Sequence, residues 1–177
     1  MQTRKHIYHC GGEEFHGFLA FDDTQKGSRP AVLVAHDWSG QNDFAQEKAI
    51  LLAKMGYLGF AVDMYGLGKN GHTLEEKEAL IQPLMKDRLL LRDRMKAALS
   101  AAVDLPEVDK TKIGAIGFCF GGLCVLDLAR SGADIQGVVS FHGLLQKPDY
   151  ENAIRAKVLA LHGFEDPMVS PADVLAF

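Results

Sequence analysis

Lys112-Ile-Gly-Ala-Ile-Gly-Phe-Cys-Phe-Gly-Gly122 sets Cys119 between Gly117 and Gly121 in the pattern Gly-x-Cys-x-Gly. Ahead of it, residues 113–116 form the short apolar run of a strand buried on both faces. Behind it, residues 123–130 are apolar apart from Asp127 and Arg130 and read as a mostly buried helix. The cysteine therefore stands where a strand turns into a helix. A turn so abrupt strains the central residue and brings the two backbones together, which accounts for glycine at 117 and 121. This is a nucleophile elbow with cysteine at its tip. The first helical turn adds unpaired N–H groups and positive dipole, so the position is expected to favour a thiolate.

Upstream, residues 5–10 and 14–21 flank Gly11-Gly12 and read as a hairpin. Pro30 opens an apolar run at 31–35, followed by the loop His36-Asp37-Trp38-Ser39-Gly40. Asn42 is placed to cap a helix over 43–55, ended by Gly56, and 57–62 is a further buried strand leading into a glycine-rich loop through His72. Residues 74–103 are helical with a break expected near Pro83. Arg88, Arg92 and Arg94 on that segment read as a solvated face. Beyond the elbow helix, 136–141 and 157–162 are strand candidates. Alternating buried strands and helices after a hairpin define an α/β fold with a mainly parallel sheet. One domain is expected from 177 residues, 47% of them apolar.

Net charge is −4 with the signs mixed and no Lys/Arg block, so no nucleic-acid partner is expected. The N-terminus lacks a signal-peptide core and no run is long enough to cross a bilayer, which reads as a soluble, cytoplasmic protein. Three cysteines, Cys10, Cys119 and Cys124, suit a reducing compartment. His6, His9 and Cys10 lack the spacing of a metal site.

With elbow and loops in place, the sequence resembles the dienelactone hydrolase family of the α/β-hydrolase fold over essentially its whole length. The resemblance rests on Gly-Phe-Cys-Phe-Gly-Gly at 117–122, Ala-Val-Asp-Met-Tyr-Gly at 61–66, Gly11-Gly12, and His-Gly-Phe-Glu-Asp-Pro-Met-Val at 162–169. It implies Cys119 as nucleophile and Asp166 as the acid of a triad. Trp38 and Phe120 would supply the backbone N–H pair of an oxyanion hole, and Asp37 would stand where the family places a glutamate that holds the resting cysteine. No metal or organic cofactor is implied. The substrate would be a small ester, lactone or thioester, cleaved through an acyl-cysteine. Asp166 also fits on its own terms, in a loop past a buried strand at the carboxyl edge of the sheet, although a turn aspartate before Pro167 reads the same way.

The histidine of the triad should follow the acid, and residues 167–177 contain none. His162 precedes Asp166 by four positions, and His142 reads as a turn or core histidine. Ser170-Pro171-Ala172-Asp173 opens a helix too short to stand alone. The expectation is an N-terminal portion of a longer hydrolase, lacking its last strand and helix; a cleaved C-terminal segment of the same protein is then the one macromolecular partner. Two other readings stay open: a non-catalytic or redox-responsive relative with an oxidisable Cys119, and a fragment that serves as a folding or assembly unit.

Overall fold

The computed structural model describes residues 1–150 and 152–177. Strands β1 (Gln2–Cys10) and β2 (Glu13–Phe21) form the expected hairpin, Gly11 and Gly12 supplying positive φ at its turn. They are followed by β3 (Arg29–Ala35), α1 (Asp43–Lys54), β4 (Leu58–Val62), α2 (Leu74–Lys86) and α3 (Arg88–Val103). Next come β5 (Val108–Phe118), α4 (Phe120–Arg130), β6 (Gly137–Phe141), β7 (Lys157–Leu161) and α5 (Pro171–Ala176). The sheet runs β1-β2-β4-β3-β5-β6-β7; β4, β3, β5, β6 and β7 are parallel and the hairpin is antiparallel.

Helices cover both faces, as continuous apolar strands require. On one side Ala45, Ala49 and Ala53 of α1 meet Ala20, Val34 and Ala61. The contact is close because β4 has Gly59 there, where a Cβ would fall within 3.0 Å of the Ala49 backbone. On the other side Leu91 and Met95 of α3 and Leu123 and Val125 of α4 join Leu33, Phe60 and Ile113 in the main core. The outer strand differs: Val158, Leu159 and Leu161 of β7 are 40%, 51% and 46% exposed.

The break in the long helical segment falls at Asp87, four residues later than the sequence suggests. Proline removes a donor but keeps its carbonyl, and Asp87 N–H still reaches Pro83 O at 3.0 Å. Asp87 then leaves helical dihedrals and caps α3 by accepting from Leu90 N at 2.9 Å, which decides where the chain re-nucleates.

Two of the three arginines of α3 are not on a solvated face, while Arg92 pairs with Asp93 in an exposed contact. Arg88 donates from Nε and Nη2 to the fully buried carboxylate of Asp127 at 2.7 and 2.8 Å, and Arg130 adds a bond at 3.3 Å. Arg94 is tied to Met64 O and Glu13. Burial pushes the Asp127 carboxyl above its usual range, and the two guanidiniums pull it back. Arg88→Met should therefore cost about 3 kcal/mol at neutral pH by leaving a buried carboxylate underpaired. A carboxyl with a raised folded-state pKa stabilises the fold below its unfolded pKa and loses that contribution as pH rises through the folded one. The variant raises it further, so its deficit should shrink as pH falls toward about 5. Urea denaturation of both proteins at two pH values checks this; an equal deficit at both would contradict it.

Candidate active site

At the end of β5 the chain reverses into α4 through Cys119, whose φ of 55° and ψ of −116° no unstrained non-glycine residue adopts. Bonds from Cys119 N to Phe141 O (3.0 Å) and from Gly122 N to Cys119 O (2.9 Å) tie the strained residue to β6 and to its own helix. The glycines serve close approach, as the pattern predicts: a Cβ on Gly117 would fall within 3.0 Å of the Gly121 backbone, and one on Gly121 within 3.0 Å of Ala35 and His36 backbone atoms.

The expected thiolate is not what this setting favours. Burial pushes the Cys119 thiol above its ordinary value, the Phe120 amide hydrogen bond opposes it, and the charges of Asp37 and Asp166 push it up again. The helix N-terminus contributes one amide, and desolvation outweighs it. The half-buried thiol is therefore held toward its neutral form.

Asp166 sits in the loop after β7, at the carboxyl edge of the sheet. Its Oδ1 accepts from Met168 N at 2.9 Å, the turn role read from Asp166-Pro167, while Oδ2 faces the His142 Nδ1 at 3.8 Å. The same aspartate makes the turn and presents a carboxylate oxygen to an imidazole. His142 is not a core histidine: it stands in the bend after β6, as the turn reading expects, with a φ of 41° and its side chain 55% exposed. With Gly163, Phe164, Glu165 and Pro167, these two residues line an open cleft. Both ring nitrogens of His162 are buried without a hydrogen-bond partner among the described residues.

The loop after β3 brings Asp37 and Trp38 to the same edge. Asp37 Oδ1 accepts from Ser39 N at 2.7 Å, and its charge is felt at Cys119. The loop is fixed from beneath. Tyr65 O–H donates to Trp38 O at 2.8 Å, with its ring stacked on Phe120 (6.0 Å between centroids, 16°). Tyr65 is itself set by Asp63, a buried carboxylate that accepts from the backbone N–H groups of His16, Tyr65, Gly66 and Gly68. Reading Ala61–Gly66 as a motif pointed at this stretch, but sequence gave no sign that Asp63 is its keystone. Lys77 of α2 stands 5.5 Å above the Trp38 ring. Among the described residues, no three His, Cys, Asp or Glu side chains are grouped to hold a metal ion.

A strained cysteine on a strand-to-helix turn, over a mostly parallel sheet with an antiparallel hairpin at its edge, defines the α/β-hydrolase fold. The solved protein m3DLH matches with a TM-score of 0.92 and 39% identity over 99% of this chain and 74% of its own. The dienelactone hydrolase-like promiscuous phosphotriesterase P91 from metagenomic libraries matches with a TM-score of 0.93 and 38% identity over the same shares. The dienelactone hydrolase family profile matches residues 15–177, and the chain belongs to that family, one of ester and lactone hydrolases. Among curated relatives, an uncharacterized Caenorhabditis elegans protein is 44% identical over 95 residues, a match taking in 49% of this chain and 58% of that one. A Synechocystis protein provisionally named a carboxymethylenebutenolidase is 29% identical over 89% of this chain and 69% of its own.

Proposed function

We propose that the protein hydrolyses a small ester, lactone or thioester through an acyl-cysteine intermediate. The observation that carries this is Cys119 held at positive φ on the elbow, at the same sheet edge as Asp166 and the Asp37-Trp38 loop. In this reading the Cys119 sulfur attacks the carbonyl carbon, and the Phe120 and Trp38 amides hold the oxygen as it gains charge. The leaving alcohol, or the thiol of a thioester, departs with the thiol's proton, which in a lactone goes to the hydroxyl that stays on the acyl chain; water then attacks the acyl-cysteine thioester and regenerates the thiol as the acid leaves. Because the thiol starts above its ordinary pKa, proton removal must be assisted by an imidazole oriented by Asp166. His142 is the histidine that faces Asp166 among the described residues, while the family resemblance implies a further one after the acid. The exposed outer strand β7 and the greater length of the solved relatives support one domain completed by a further strand and helix. Asp37, engaged with Ser39, tunes the thiol by charge more than by holding it. A thiol held above its ordinary range also argues against a redox-responsive role, since sensor cysteines have low pKa values.

No helix among the described residues is long and apolar enough to cross a membrane, and three unpaired cysteines support a reducing, cytoplasmic setting. The test is intact mass after mixing with p-nitrophenyl acetate. One acetyl group on Cys119 should appear together with released nitrophenol, and the rate should rise with pH from about 7 to 9 as the thiol with its raised pKa ionises. Oxidation of Cys119 without acylation, or acylation that slows as pH rises, would count against the proposal.

A further inference from the structure

We propose that His36 is a positioning residue for the oxyanion hole, a role that rests on the hydrolase reading above and goes beyond it. His36 ends the buried run of β3, and its side chain is fully enclosed between Tyr65 (ring centroids 4.8 Å apart) and Phe120 (6.2 Å). Its two nitrogens meet opposite kinds of partner. Nε2 faces the backbone N–H of Met64 at 3.2 Å and can only accept there; Nδ1 lies 2.5 Å from Asp37 O, which can only accept, so Nδ1 donates. These partners select one state of the ring, neutral with the proton on Nδ1, and burial keeps it neutral by lowering its pKa.

Asp37 O belongs to the peptide whose N–H is that of Trp38. In a planar trans peptide the carbonyl and the N–H point in opposite directions, so a carbonyl held by His36 directs the Trp38 N–H away from the core. The elbow lies close by: Gly121 packs its backbone on Ala35 and His36 so tightly that a Cβ there would come within 3.0 Å of their atoms. Tyr65 fixes the next peptide through Trp38 O, and Asp37 Oδ1 fixes Ser39 N. Gly40 N also reaches Asp37 O, but only at 3.4 Å, so His36 supplies the shorter hold on the peptide whose N–H would face the developing oxyanion, and the same ring ties that loop to the one after β4 through Met64.

Two amide substitutions separate the ring's two bonds. In His36→Asn the side-chain amide nitrogen overlays Nδ1 and keeps the bond to Asp37 O while losing Met64; in His36→Gln the amide oxygen overlays Nε2 and keeps Met64 while losing Asp37 O. Single-turnover acylation of Cys119 by p-nitrophenyl acetate is measured in the natural protein and both variants, beside their melting temperatures. The expected result is similar loss of melting temperature in both, an acylation rate within about threefold of wild type for the asparagine variant, and a fall of about 30- to 100-fold for the glutamine variant, approaching the loss of one oxyanion donor. Equal rates in the two variants, or rate losses that follow melting temperature, would overturn the role of His36 while wild-type acylation leaves the hydrolase reading intact. Wild-type protein that never acylates Cys119 would overturn both. Ring 15N shifts of the wild-type protein give a check that needs no variant: a proton on Nδ1 alone at neutral pH is expected, and a proton on Nε2 would refute the proposal.

Discussion

Cys119→Ser should lower turnover of an aryl ester by about 10³-fold or more while leaving the circular dichroism and melting temperature close to wild type. Serine fits the space and meets the same backbone strain, so the fold has little reason to respond. The chemistry does. Burial and the charges of Asp37 and Asp166 already hold the thiol above its ordinary pKa, and a hydroxyl, intrinsically far less acidic, starts further from its anion in the same setting. A site adapted to a sulfur that ionises with modest help should fail with an oxygen that needs much more. Retention of more than about a tenth of the activity would show that the reaction does not depend on the sulfur.

Gly121→Ala should be among the most damaging small substitutions in the chain, costing about 4 kcal/mol or more. Its Cβ would fall within 3.0 Å of Ala35 O, Ala35 C and His36 O. Those are backbone atoms of a central strand and cannot move aside as a flexible side chain would. For a chain of this length such a loss corresponds to a drop of roughly 10 °C or more in melting temperature, with activity lost as α4 shifts away from β3. Gly163→Ala is the control: nothing lies within 4 Å of its Cβ and its φ is not in the left-handed region, so it should stay within about 0.5 kcal/mol of wild type. A Gly121→Ala protein that melted with the control would mean that the strand and helix are not in backbone contact.

What could be read in advance follows how local each signal is. The buried runs of β3, β4 and β6, the Asn42 cap and the Ser170 capping box depend on neighbours in sequence, and the structure places them within a residue or two of expectation, whereas β5 begins at Val108, five residues before its apolar run. The elbow was legible for the same reason in part, since Gly117 answers a steric demand from Gly121 four residues on, although Gly121 itself is required by β3. The errors share the opposite origin. Arg88 looked solvated because its partner, Asp127, lies on another helix. Cys119 looked like a thiolate because the helix terminus is local, whereas the burial that outweighs it comes from the whole sheet edge. The approach of His142 to Asp166 is not legible in sequence, because nothing nearby signals a non-glycine residue at positive φ, nor that Asp166 returns to face it. His36 passed as one letter of a loop, though a histidine directly after a continuous apolar run was the available hint that a polar ring had been enclosed and must satisfy both nitrogens.

The elbow's dependence on glycine separates two properties that many enzymes entangle. Where backbone rests on backbone, no side chain is spent on aiming the sulfur, and the residues that rim the cleft around Asp166, such as Phe164 and Glu165, are free to vary without disturbing its aim. Selectivity can then drift quickly over a fixed reactive centre, and an engineer seeking new substrates should randomise the rim and leave the three glycines after Ile116 alone.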